Sequence, residues 1–147
     1  MRRLYVIFIS LTLIVCLSGC NNSKNSVINR MKELSNLELP SDTDVIFDIK
    51  DNVFMHGRLA QYTVLKFKEY PEDFLIKYDF SITLSQNFKN KFLNDIDKCY
   101  SIKKEDIKSE YLPNFENNNL YLYLEEKDIY LIYDINKEFL IVFITAQ

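Results

Sequence analysis

The sequence predicts an α+β fold: one N-terminal helix and two strands, then short helices, then a three-stranded antiparallel C-terminal meander, all strands in one sheet. Three observations predict it. Apolar residues at Val27, Ile28, Met31, Leu34 and Leu37 keep helical spacing. Leu120 to Leu124 (LYLYL) alternates strictly, as a half-buried strand does. Two apolar runs, Ile129 to Ile135 and Phe139 to Thr145, follow with only short turns between them, and short connections make neighbouring strands antiparallel.

Each element has a local reason. Ser26 is placed to cap the first helix, and Pro40 stops it. Asp44 to Ile49 (DVIFDI) is β-rich and follows the turn-like Pro40-Ser41-Asp42. Asp51 to Gly57 reads as a connection. Leu59 to Phe67 is a strand, because Tyr62, Thr63, Val64, Leu65 and Phe67 all favour a pleated surface. Glu69 to Asp73 starts a short helix, with Pro71 at the first helical position and acids in the first turn. Its apolar face is Phe74, Leu75 and Tyr78. Ser85 caps a second short helix on which Phe88, Phe92, Leu93 and Ile96 share one face. Lys98 to Asn119 is polar, contains Pro113, and reads mostly as loop. Turns are expected at Glu125 to Asp128 and at Asn136 to Glu138. Unbroken apolar runs place the last two strands at the centre of the sheet, covered on both faces. Residues 27–147 read as a single domain.

Composition narrows the function classes. Hydrophobic residues are 48% and charged residues 27%, the balance of a globular chain. Removing Arg2 and Arg3 from the 18 basic residues leaves 16 against 21 acidic ones, which does not suit nucleic acid. Of two glycines, Gly19 belongs to the N-terminal segment and Gly57 stands alone after it. That excludes the glycine-rich loops that cradle nucleotides. A single histidine, His56, excludes a multi-histidine metal site, and no cofactor is expected.

The N-terminus carries an address. Met1, Arg2 and Arg3 precede an apolar stretch, Leu4 to Leu17, of about 14 residues, short of the roughly 20 that span a bilayer. Leu17-Ser18-Gly19-Cys20 follows and resembles a bacterial lipobox. The resemblance implies that residues 1–19 are a signal peptide and that Cys20 carries a diacylglyceryl group. It places the mature chain on the extracytoplasmic face of the cell membrane. Two acyl chains make a stable anchor, whereas one gives marginal binding. Residues 20–26 then form the lipidated cysteine and a polar tether. With Cys16 in the signal and Cys20 lipidated, Cys99 has no cysteine left to pair with, so stability must come from packing.

Candidate chemistry is sparse. His56-Gly57 is a possible functional turn, a general base or a histidine bonded to a tight turn in which Gly57 supplies positive φ. His56 with Cys99 would be a nucleophile pair, although nothing beside Cys99 forms an oxyanion site. Asp42, Asp44, Asp48 and Asp51 cluster around the first strand, and period two puts Asp44 and Asp48 on one face. Asp134-Ile135-Asn136 opens like a calcium loop but lacks its later ligands. Both are read as solvated faces and turns, so no metal is assigned. Tyr62, Tyr121, Tyr123, Tyr130 and Tyr133 fall on strands and, if they cluster outward, give an adhesive partner-binding surface.

Three pieces of the mature region are similar to a broad group of small, functionally unassigned lipoproteins of low-GC Gram-positive bacteria. They are the helix ending near Leu37-Glu38-Leu39, the His56-Gly57 step into Tyr62-Thr63-Val64-Leu65-Lys66-Phe67, and strand 120–124 with the hairpin around Asp134-Ile135-Asn136-Lys137. The resemblance implies an α+β fold and surface anchoring, and it transfers no activity. The expectation is a non-catalytic binding module for an envelope protein or a co-expressed toxin, the latter making it an immunity protein. The alternative is a small surface hydrolase using His56.

Overall fold

The computed structural model describes residues 25–50, 60–99 and 102–145. The chain divides into two compact units, Met1–Asn36 and Leu37–Gln147. Within the first, helix α1 covers residues 25–35, so Ser26 lies inside it. Ser35 Oγ donates back to the Met31 carbonyl at 2.6 Å. The helix ends because Asn36 turns left-handed, at φ 59°, with its N–H on the Lys32 carbonyl at 2.8 Å. Asparagine tolerates that region better than most residues.

The second unit contains strands β1 (Asp44–Lys50) and β2 (Gln61–Lys66), helices α2 (Glu72–Lys77) and α3 (Gln86–Lys98), and strands β3 (Asn119–Leu124), β4 (Ile129–Asp134) and β5 (Phe139–Ile144). This is the α+β class that the periodicities predict. The five strands form one antiparallel sheet in the order β1-β2-β5-β4-β3. The chain leaves β2, crosses through α2 and α3 to the far edge, and returns as the β3-β4-β5 meander to pair with β2. β4 and β5 are buried at all six positions each, which explains their unbroken apolar sequences. β2 is interior as well.

Register makes the core. Tyr62, Phe143, Tyr130 and Tyr123 stand opposite one another across β2, β5, β4 and β3. Their ring centroids are 5.9, 5.9 and 4.7 Å apart along the row. The next row is Val64, Ile141, Ile132 and Tyr121. α3 lies on this face. Ser85 Oγ accepts from the Phe88 N–H at 3.0 Å, the expected cap. Phe92 then meets Tyr130 and Phe143 edge-on at 5.5 and 5.7 Å, and Phe88 meets Tyr121 and Tyr130 the same way.

The stretch read as loop is packed. Two 3₁₀ turns, Lys104–Asp106 and Ser109–Tyr111, fold it so that Ile102 and Ile107 join the same cluster. On the opposite face, Phe67 lies against Tyr133 of β4 and Phe74 of α2, at 6.1 and 5.9 Å. The Ser81–Tyr121 bridge closes part of the β3 edge. In a chain this poor in glycine, left-handed positions fall to Asp79, Asp128 and Glu138. Asp134 Oδ1 accepts the N–H groups of Asn136 and Lys137 and so shapes the β4-β5 turn around Glu138.

Phe92 of α3 is set into the sheet at 1% exposure. Phe92→Ala should cost about 3–5 kcal/mol of unfolding free energy by urea denaturation, whereas Ile76→Ala, at an exposed position on α2, should change it by less than about 0.5 kcal/mol.

Candidate functional site

Of the five tyrosines considered for a partner surface, Tyr62, Tyr121, Tyr130 and Tyr133 are core residues instead. Tyr62, Tyr130 and Tyr133 have no exposed area, and Tyr121 is buried between Phe88 and Phe115. The reason is that both sheet faces are covered, so strand alternation sorts residues between two interiors rather than between core and water. Tyr62 satisfies its hydroxyl by donating to the Tyr111 carbonyl at 2.7 Å. Burial raises its pKa far above the ordinary phenol value. The Tyr133 hydroxyl is buried with no hydrogen-bond partner. Burial first, then the nearby Tyr70, Glu138 and Asp134, push its pKa up to about 12.

Tyr123 is half-buried and belongs to a charged cluster where α3 meets the β3-β4 hairpin. Lys91 Nζ lies 3.0 Å from Asp95 Oδ2 and 3.0 Å from Asp128 Oδ1. Tyr130 donates its hydroxyl to Asp95, and Tyr123 donates to Asp128. The ammonium stands 5.0 Å from the Tyr123 ring centre and 5.5 Å from that of Tyr130. Burial works against the Lys91 charge, but hydrogen bonds with both tyrosines and both carboxylates outweigh it and raise its pKa. The Tyr123 hydrogen bond, then Lys91, lowers the pKa of Asp128. Burial and the bond to Asp95 raise that of Tyr130. The cluster joins α3 to the β3-β4 hairpin. Only the Lys91–Asp95 spacing of four residues was visible in the sequence.

One accessible concave feature lies beside α2. An open groove of about 640 Å³ runs between residues 38–42 and 69–77. Leu39, Pro40 and Phe74 form its apolar floor, and Tyr70 stands at its lip with 58% of its surface exposed. Asp42, Glu69, Glu72 and Asp73 line the walls. The two sides are fastened together, since the Glu38 N–H donates to the Tyr78 hydroxyl at 2.8 Å and the Glu38 carboxylate pairs with Lys77. Thr43 Oγ1 donates to the Pro40 carbonyl at 2.6 Å and holds the preceding turn.

Other candidates separate. Cys20, His56 and Gly57 lie outside the described residues. Cys99 is half-buried at the C-terminal cap of α3, against the core. Asp44 and Asp48 do not share a face. A bulge between Val45 and Phe47 shifts the register, so that Asp44 opposes Lys66 while Asp48 opposes Thr63. Asp48 instead accepts from Gln61 Nε2 and Thr63 Oγ1, each at 2.7 Å. Among the described residues no group of three His, Cys, Asp or Glu side chains is placed to hold a metal. No described helix is long and apolar enough to cross a membrane. Comparison with protein-family models, curated proteins and solved structures finds no match for this chain.

The two buried phenols should respond oppositely to loss of the hydroxyl. Tyr133→Phe removes an unsatisfied group and should raise the unfolding free energy by about 1 kcal/mol, while Tyr62→Phe strands the Tyr111 carbonyl and should lower it by about 1–2 kcal/mol, both read from urea midpoints.

Proposed function

We propose that this chain is a lipoprotein held through Cys20 on the extracytoplasmic face of the cell membrane, its α+β domain acting as a non-catalytic binding module. The observation that carries the anchoring is the order of residue types in the N-terminal sequence: basic start, short apolar stretch, small residues, then Cys20. The partner is a protein of the envelope or one expressed together with this chain, immunity to a toxin being one such role. Two features support binding over chemistry. The perturbed side chains of the Lys91 cluster are locked in mutual hydrogen bonds. The open groove beside α2 offers an exposed aromatic ring, Tyr70, among four carboxylates.

Cells fed labelled palmitate should incorporate it into the wild-type chain and leave that chain in the membrane fraction. Cys20→Ala should take up no label and retain its leader. Wild-type chain that stays unlabelled would sink the anchoring. Co-purification with a stoichiometric protein that depends on Cys20 is the expected sign of the binding role, and its absence from both forms would count against that role.

A further inference from the structure

We infer that the groove beside α2 docks an extended, Lys/Arg-bearing segment of a partner protein, with Tyr70 as the aromatic anchor. This deepens the binding-module reading and rests on it. Charge selects the partner. Among the described residues Asp42, Glu69, Glu72 and Asp73 make no ion pair, and Lys77, which also lines the groove, is taken by Glu38. Glu72 and Asp73 have a local reason, because acids in a first turn suit the helix dipole. Asp42 belongs to the turn after Pro40, and Glu69 lies outside any helix; both line the same groove as Glu72 and Asp73. The excess of acidic over basic residues in the chain adds a field that steers a cationic partner inward. The same carboxylates repel the anionic headgroups of a membrane, which removes the lipid surface as occupant.

The apolar part selects a protein segment. Leu39, Pro40 and Phe74 offer a floor for side chains rather than for a bare ammonium. Tyr70 is exposed yet positioned, its ring edge-on to Tyr133 at 5.9 Å. A positioned tyrosine gives contact area at small entropic cost, and its open face accepts a guanidinium. The fastened walls mean that little must be ordered on binding.

The test uses the full chain in detergent micelles at physiological salt. The probes are a fluorescein-labelled hexapeptide of alternating Arg and Leu and its counterpart with Glu for Arg. The Arg peptide should bind saturably and the Glu peptide should not. Tyr70→Ala should weaken the Arg peptide about tenfold, and Asp42→Lys with Glu69→Lys should abolish its binding while circular dichroism stays unchanged. Equal binding of both peptides, or an Arg-peptide affinity indifferent to these variants, would overturn the proposal. In cells, a photo-crosslinking phenylalanine placed at Tyr70 should capture a Lys/Arg-rich segment. Capture of a partner from Ile46 on β1 but not from Tyr70 would overturn the groove while leaving the binding module standing. Capture from neither position would count against both.

Discussion

The stacking of four aromatic side chains across β2, β5, β4 and β3 is the contact on which the rest of this unit depends. Tyr62, Phe143, Tyr130 and Tyr123 occupy one register row, and Phe92 and Phe88 of α3 pack edge-on against it. The row fixes where α3 lies. That position brings Lys91 and Asp95 over Tyr123 and Tyr130, which completes the charged join to Asp128. A one-residue slip of β4 would carry Tyr130 to the other face and break packing and charge network together. Cross-strand pairs of this kind stabilise sheets singly by small amounts, but here they share partners and act as a group.

This use of aromatic residues also explains where recognition is left to occur. The sheet spends its tyrosines on the interior, so its faces have little to offer a partner. Accessible chemistry collects at the crossover from β2 to α3, where a short helix and a fastened turn leave a groove with four carboxylates and an exposed ring. The long crossover is required by the strand order, since β3 stands at the edge opposite β1. Topology thus supplies the irregular surface that a covered sheet cannot.

Much of this fold was legible in the sequence, because its signals are local. The Ser85 cap, the acids after Pro71, the alternation in 120–124 and the two apolar runs each act over a few residues. What was not legible is decided at a distance. The bulge at Val45–Phe47 separates Asp44 from Asp48, and nothing in DVIFDI announces it. Ile102 and Ile107 are core residues in a polar stretch, recruited by 3₁₀ turns of weak local signal. Tyrosine is the sharpest case. Its apolar body and polar tip suit surface and interior equally, and only coverage of both faces decides between them. The groove acids were visible as the start of a helix and as a cluster around β1, but their convergence on one space is tertiary.

Tyrosine ionisation tests most directly whether these residues are core. Burial raises the folded pKa of Tyr62, Tyr130 and Tyr133 above the unfolded phenol value of about 10. From there upward the folded state holds protons that the unfolded state has lost, so stability falls as pH rises. Tyrosinate absorbance and far-ultraviolet circular dichroism followed together against pH should show two phases. A first phase leaves the fold intact, and the buried set then ionises in one cooperative step as the sheet is lost. Ionisation of all tyrosines in a single gradual wave near pH 10, with the dichroism unchanged, would contradict the account.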